Sequence, residues 1–146
     1  MSARHDAREA ALKILYFCEI SGAAANEAMA SYFAEHAPDA GADVREFSRA
    51  LVLGTLADVP SLDALIARHS QHWRLERLAV IDRLILRMAA WELTQTPDVP
   101  PPVVLNEAIE LARAYSTDGS VAFVNGVLDG VLKAIGRPQA PGPGPQ

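Results

Sequence analysis

Apolar residues recur along this chain at intervals of three and four, the spacing that puts side chains on one face of an α-helix. The first stripe of this kind consists of Ala7, Ala11, Ile14 and Cys18. It predicts a first helix over residues 3–20 that stops at Gly22. A second, alanine-rich segment predicts a helix over residues 24–36, followed by a loop that includes Pro38.

The middle of the chain predicts three further helices. The third is predicted to close at Pro60, and its apolar residues on nearby turns are Phe47, Leu51 and Leu56. Serine is a favoured N-cap because its hydroxyl accepts a backbone N–H of the first turn, so Ser61 predicts the start of a short fourth helix. The fifth helix, over residues 75–95, is predicted to be the longest and to be central, because it is apolar on two sides. Its two stripes are Leu78, Ile81, Ile85 and Met88, and Val80, Leu84 and Trp91.

A proline-rich stretch over residues 96–102 follows the fifth helix. It is predicted to separate the fifth helix from the sixth, because proline lacks a backbone donor and fixes an extended path. Asn106 is predicted to cap that helix, next to Glu107, whose charge complements the helix dipole. One apolar face of helix six is predicted to carry Val104, Ala108, Leu111 and Tyr115, and that of helix seven Val121, Val124, Leu128, Val131 and Ile135. The pattern therefore predicts one all-α bundle of about seven helices over residues 1–135, with a disordered Pro/Gly-rich tail over residues 136–146.

The composition is that of an ordinary globular domain, with 50% apolar and 21% charged residues in a chain of 146. No apolar run approaches the roughly 20 residues that cross a bilayer, and the charged first residues do not resemble an export signal. The single cysteine, Cys18, fits a reducing compartment, so a cytoplasmic location is predicted. A net charge of −5 argues against general nucleic-acid binding, so any RNA site must be a local patch or be shared with a partner.

No group of residues carries the signature of an enzyme or of a bound cofactor. His69 and His72 lack further ligands at a metal-binding spacing. Glu107 and Glu110 are predicted to lie on a solvated helix face, and Cys18 belongs to an apolar stripe. A base, an orienting residue and an anion hole do not occur together. The sequence therefore predicts a non-enzymatic protein without cofactor or metal.

Two blocks in the last third of the chain carry the most specific pattern. Residues 104–113 read VLNEAIELAR, and residues 123–129 read FVNGVLD. This pair resembles the C-terminal signature of the NusB family of bacterial transcription antitermination factors, and the likeness extends over residues 4–135. Supporting matches in the same order are Ala7-Arg8-Glu9, Leu15-Tyr16, Asp82, Ile85-Leu86-Arg87, Glu92-Leu93 and Asp98-Val99-Pro100.

The resemblance implies a compact helical factor that binds the boxA element of ribosomal RNA transcripts together with NusE, a small-subunit ribosomal protein. It also implies a role in assembling an antitermination complex on RNA polymerase. The positions that match the family's RNA surface are Arg4, His5, Arg8, Arg87, Gly119, Ser120 and Phe123. Those that match its NusE surface are Tyr16, Glu76 and Asp82. His5 and Asp6 stand where the family often has further arginines.

Helical geometry adds an independent view of these positions. Arg4 and Arg8 are four residues apart, so they are predicted to be neighbours on the surface and to reach consecutive phosphates. The alternative is that both are solvated charges paired with nearby acids. Tyr16 is predicted to emerge on an outer face near Leu12 and Ile20, where it marks an interface, unless the first helix is buried on both sides.

Phe123 falls beside the main apolar stripe of helix seven, close to two glycines. It is predicted either to stack on an RNA base or, if Gly126 and Gly130 admit a neighbouring helix, to be core. A rival function for the whole chain is that of an RNA-binding accessory module of a ribosomal RNA cytosine methyltransferase. Its start at a methionine and its Pro/Gly end, with no glycine-rich cofactor fold, favour the antitermination factor. A bundle that binds protein alone and a homodimer are further alternatives.

Overall fold

The computed structural model describes residues 2–70 and 77–136, and the regular elements of these ranges are seven α-helices. They are α1 (Ala3–Ser21), α2 (Ala25–His36), α3 (Ala42–Ala57), α4 (Val59–Ala67), α5 (Val80–Gln95), α6 (Pro101–Tyr115) and α7 (Asp118–Ile135). The predicted all-α class is confirmed. The chain divides into two compact units, Met1–Ala57 with α1 to α3 and Asp58–Gln146 with α4 to α7.

In the first unit, α1 packs against both α2 and α3. Its start is fixed by Ser2, whose Oγ accepts the backbone N–H of His5 at 3.0 Å. Its end is fixed by Gly22, which adopts φ 75° and donates its N–H to the Cys18 carbonyl at 2.9 Å. A positive φ of this size favours glycine, because a side chain would clash with the backbone. The predicted stripe is buried at Ala7, Ala11 and Ile14.

The connection between α2 and α3 is held by Arg45 from the first turn of α3. Its Nε donates to the Ala40 carbonyl at 2.9 Å, and its Nη2 donates to the Pro38 carbonyl at 3.0 Å. The same guanidinium lies 4.8 Å from the centroid of the Phe33 ring in α2, within the range of a cation–π contact. One side chain thus joins the end of α2, the loop and the start of α3.

In the second unit, α5 packs against α4, α6 and α7, which confirms its central place. Its buried apolar residues are Leu84, Ile85, Leu86, Met88, Ala89, Ala90 and Leu93. The helix begins at Val80, later than predicted, and Leu78 precedes it. The prediction that it is the longest helix was wrong, because its 16 residues are fewer than the 19 of α1 and the 18 of α7. The predicted first residue, Leu75, lies outside the described ranges.

Three predicted helix signals were wrong. Pro60 does not close α3, because α3 ends at Ala57 and Pro60 lies in the first turn of α4. Ser61 also lies inside α4, whose N-cap is Asp58. Asn106 is the sixth residue of α6 and not its cap, since the helix already begins at Pro101. In both helices proline lies in the first turn, as Pro60 in α4 and as Pro101 in α6, because a backbone N–H at that place has no partner within the helix.

The last helix, α7, is capped at both ends. Thr117 Oγ1 accepts the backbone N–H of Ser120 at 3.3 Å, and Gly136 closes the helix with φ 77°. Its predicted apolar face is buried at Val124, Leu128 and Val131. The rest of the predicted tail lies outside the described residues. Within the described ranges, no single helix is both long and apolar enough to cross a membrane.

Candidate functional site

The two N-terminal arginines of α1 share one aromatic ring. The Arg4 guanidinium carbon lies 4.4 Å from the centroid of Phe47 in α3, and that of Arg8 lies 5.2 Å from it. Arg4 is exposed, whereas Arg8 is only 2% exposed. The prediction that both arginines lie on the surface is therefore wrong for Arg8, which packs against the ring. Sequence spacing alone did not reveal this, because Phe47 is about forty residues away in the chain.

His5 lies beside Arg4 and is half-buried. Its backbone N–H is used in the cap with Ser2, so this residue helps to start the helix that carries Arg4. Of the three predicted RNA-contacting residues in α1, Arg4 is the exposed one. Its stacking on Phe47 limits the conformations of a long side chain, which reduces the entropy lost when the guanidinium binds a phosphate.

A groove of about 620 Å³ lies between α1 and α2. Three large apolar side chains on its α1 wall are exposed, Tyr16 by 42%, Phe17 by 49% and Ile20 by 61%. The prediction that Tyr16 and Ile20 face outward is confirmed, but Leu12 is buried, with 1% exposure. The α2 wall adds Ala28, Ser31, Tyr32, Glu35 and His36. Exposed apolar groups at a concave surface are typical of a protein interface.

The pattern missed two aromatic residues of this groove, Phe17 and Tyr32. Burial raises the pKa of the Tyr32 phenol, and the nearby charges of Glu9 and Asp6 raise it further. Burial also raises the pKa of the Cys18 thiol, on the next turn of α1 after Ile14. Phe17 follows Tyr16 directly, so an exposed pair of adjacent aromatics was the available signal.

Arg87, a predicted RNA contact, forms a two-pronged ion pair with Asp63 of α4. Its Nε lies 2.7 Å from Asp63 Oδ1, and its Nη2 lies 2.8 Å from Oδ2. The arginine side chain is 13% exposed. Parallel N–H···O bonds of this kind fix the plane of the guanidinium. In this structure the Arg87 guanidinium therefore faces Asp63, and the ion pair joins α4 to α5.

Asp82, a predicted NusE contact, is only 7% exposed and takes part in a network of hydroxyl groups at the start of α7. Its Oδ1 accepts the Ser116 hydroxyl at 2.6 Å, and its Oδ2 accepts the Ser120 hydroxyl at 2.7 Å. Ser120, a predicted RNA contact, is itself only 8% exposed. Both residues were assigned to surfaces, and the structure instead buries them and bonds them to each other.

The first turn of α7 also carries Gly119 and is followed by Phe123. Gly119 is exposed, and Phe123 is half-buried. Gly126 has open space around it, whereas Gly130 meets His69, which follows α4. A close approach is therefore present at Gly130 alone, and it is made by a residue of the turn after α4 and not by a neighbouring helix as predicted.

The remaining predicted positions divide as follows. Glu76 lies outside the described residues, as does His72. Among the residues that are described, no three His, Cys, Asp or Glu side chains are grouped so that they would hold a metal ion. Arg4, Arg8 and Tyr16 belong to the first unit, and Arg87, Asp82, Gly119, Ser120 and Phe123 belong to the second.

These features define a helical binding protein with an exposed arginine, an apolar groove and a structured turn at the start of its last helix. The NusB family model matches residues 5–133, and the chain belongs to the NusB family. The Transcription antitermination protein NusB of Sorangium cellulosum (strain So ce56) is 42% identical over 137 residues, which cover 94% of this chain and 96% of that protein.

Two solved structures are similar throughout. T. maritima NusB matches with a TM-score of 0.83 and 32% identity, covering 91% of this chain and 92% of that one. A structure of the antitermination factors NusB and NusE in complex with dsRNA matches with a TM-score of 0.83 and 27% identity. That match covers 92% of this chain and 98% of the other.

Proposed function

We propose that this chain is a transcription antitermination factor that binds boxA RNA of ribosomal RNA transcripts together with NusE. The complex then helps to assemble the antitermination machinery on RNA polymerase. The protein works by binding and not by catalysis, and it works in the cytoplasm, where nascent transcripts and polymerase are found. The observation that carries the proposal is the family match over residues 5–133, which includes nearly all of the described helices.

RNA contact is proposed for two places. In the first unit it is Arg4, whose exposed guanidinium is held over Phe47 and is suited to a phosphate. In the second unit it is the start of α7, where exposed Gly119 lets a strand approach the backbone and Phe123 offers a ring to a base. Arg87 contributes if RNA competes with Asp63 for its guanidinium.

NusE contact is proposed for the groove between α1 and α2. Tyr16, Phe17 and Ile20 provide exposed apolar area there, and aromatic anchors of this type carry much of the energy of protein interfaces. Polar residues at the α2 side of the groove, Glu35 and His36, form part of its rim. NusE binding thus uses a surface of α1 and α2 that does not include Arg4.

The net charge of the chain supports a shared RNA site. With 18 acidic against 13 basic residues, the chain has a net charge of −5, which repels the phosphate backbone at long range. A partner that supplies positive charge raises the affinity of the pair above that of either protein. Local contacts such as Arg4 then act within a complex that is less acidic overall.

A gel-shift titration of labelled boxA RNA tests this function. The purified chain, NusE and their mixture are titrated separately over a salt series, with a scrambled RNA of equal length as the control. The mixture is expected to bind boxA more tightly than either protein and more tightly than it binds the scrambled strand. If the mixture binds boxA no better than NusE alone, the proposed function is wrong.

A further inference from the structure

The hydroxyl network around Asp82 links three helices of the second unit. Asp82 lies in the first turn of α5, Ser116 caps the end of α6, and Thr117 and Ser120 start α7. Thr117 Oγ1 lies 3.0 Å from Ser120 Oγ, and Ser116 Oγ lies 2.9 Å from it. The only carboxylate in these contacts is that of Asp82.

The direction of the protons follows from the number of donors. A hydroxyl carries one proton, and an ionised carboxylate can only accept. Ser120 donates to Asp82 Oδ2, so its oxygen is left as an acceptor for Thr117. Ser116 donates to the other carboxylate oxygen. Asp82 therefore ends both chains of hydrogen bonds. Without it the Ser116 and Ser120 hydroxyls lose their charged acceptor and have only neutral hydroxyl groups of the network as partners.

The turn that this network holds carries the proposed RNA contacts of α7. Gly119 lies between the two hydroxyl residues Thr117 and Ser120, and Phe123 follows within one helical turn. Because Ser120 is 8% exposed and Asp82 is 7% exposed, neither side chain offers an RNA or a protein partner much surface. Each side chain therefore acts on Gly119 and Phe123 indirectly, through the backbone of the turn.

We infer that Asp82 is a positioning residue for RNA binding, which orients the start of α7 through Ser116 and Ser120. This inference rests on the proposed function and replaces the expectation that Asp82 touches NusE. Gly119 and the ring of Phe123 are then presented to RNA in one preset arrangement. Preorganisation of this kind raises affinity because less freedom is lost on binding.

The test compares variants of the full chain in complex with NusE. Asp82→Ala removes both acceptors, Ser116→Ala removes one donor, and Asp98→Ala is the matched control at an exposed loop position. RNA affinity is measured by fluorescence anisotropy with labelled boxA RNA over a salt series. NusE affinity is measured by calorimetry without RNA, and hydrogen exchange at the Ser120 amide reports the order of the turn.

Asp82→Ala is expected to weaken RNA binding about tenfold or more, since hydrogen bonds to a buried charge are lost. The salt dependence of binding stays unchanged, because no cation that meets a phosphate is removed. NusE affinity stays within about twofold, as for sites that do not touch the partner. Ser116→Ala changes RNA binding in the same direction, and both variants speed exchange at Ser120. Asp98→Ala changes neither affinity.

Asp82→Asn is the conservative variant. Its amide oxygen keeps one acceptor, and its N–H₂ group can donate to Ser120, whose proton then turns to Thr117. RNA affinity is expected within about threefold of the wild type, because the network keeps its connections. If Asp82→Ala lowers the melting temperature to that of the assay, Ser116→Ala carries the test, and wild-type RNA binding in Ser116→Ala then overturns the inference.

Two results overturn the inference. One is loss of NusE affinity in Asp82→Ala with RNA affinity retained, which makes Asp82 a partner contact. The other is wild-type RNA binding in both Asp82→Ala and Ser116→Ala. Failure of the proposed function is recognised separately, since then the wild-type complex itself does not bind boxA RNA, and the inference falls with it.

Discussion

Gly130 of α7 lies directly against the imidazole of His69. A Cβ added to Gly130 would stand 2.8 Å from His69 Nδ1 and 3.1 Å from its Cβ. Real Cβ atoms essentially never approach this closely, and the contact with the His69 Cβ prevents a simple rotation of the ring away. Gly126, one turn earlier in the same helix, has no atom within 4 Å of the corresponding position.

Gly130→Ala is expected to lower the free energy of unfolding by about 1–3 kcal/mol, because the added methyl group overpacks the contact with His69. Gly126→Ala is the matched control, and it is expected to raise that free energy by about 0.5–1 kcal/mol through helix propensity. Urea denaturation of both variants measures the difference. Equal stabilisation by the two alanines would show that His69 does not restrict Gly130.

Arg8 and Arg4 are expected to respond differently to replacement. Arg8→Ala removes a buried side chain that packs on Phe47, so it lowers the free energy of unfolding by about 2 kcal/mol. Arg4→Ala changes it by less than about 1 kcal/mol, because the side chain is exposed.

Arg4 is also expected to contribute to RNA binding. Arg4→Ala is expected to reduce the magnitude of the salt slope for single-stranded boxA by about 0.7, the value for one phosphate contact. Arg4→Lys, which keeps the charge, serves as the control. An unchanged slope in Arg4→Ala would remove Arg4 from the RNA surface.

The groove between α1 and α2 predicts a charge-sensitive interface. Tyr16→Asp and Ile20→Asp are each expected to weaken NusE binding at least about thirtyfold, because they place an unpaired charge in an apolar contact. Ala30→Asp puts the same charge on an exposed position of α2 outside the groove and is expected to have little effect. Calorimetric titration with NusE distinguishes the groove from a different docking surface, for which all three variants would bind alike.

The ion pair between Arg87 and Asp63 is expected to stabilise the second unit. Arg87→Lys loses the two-pronged geometry and is expected to lower the free energy of unfolding by about 1 kcal/mol. The control is Lys133→Ala, which removes an i,i+4 pair with Asp129 whose lysine is 70% exposed, at a cost below about 0.5 kcal/mol. If the two variants melt at the same temperature, the partly buried ion pair contributes no more to stability than the exposed one.

Cys18 and Tyr32 predict a loss of stability at alkaline pH. Folding raises the pKa of both groups, chiefly because burial disfavours their charged forms. The folded state therefore favours their neutral forms, so their contribution is present below the unfolded pKa and is lost as the pH rises through the folded one. The free energy of unfolding of the wild type, relative to that of Cys18→Ala, should fall as the pH rises above the ordinary cysteine pKa of about 8.5. If the free energies of unfolding of the wild type and of Cys18→Ala change with pH in parallel, this expectation is wrong.

Sequence periodicity predicted the elements well because burial in helices repeats at regular intervals. The stripe of α1 and the central position of α5 follow from apolar spacing alone. Helix starts were less predictable, since a proline such as Pro60 fits both the end of one helix and the first turn of the next. The outward face of α1 was predicted at Tyr16 but not at Leu12, because periodicity does not show how wide a buried face is.

The candidate site was less predictable than the fold, because its contacts join distant parts of the chain. Ser120 Oγ and Asp82 Oδ2 are 38 positions apart in sequence and 2.7 Å apart in space. Family likeness marked both residues, but it did not show that they bond to each other. The burial of Arg8 likewise depends on Phe47, a residue that the pattern assigned to the apolar face of another helix.

Arg45 has a further consequence for how this chain tolerates change. Its guanidinium donates to two carbonyl oxygens, those of Pro38 and Ala40. A residue inserted between Pro38 and Ala40 would change the distance between these oxygens, so that one guanidinium could no longer reach both. The loop between α2 and α3 is consequently restricted in length by the Arg45 side chain. Surface loops ordinarily accept insertions, but this one is expected to tolerate them poorly.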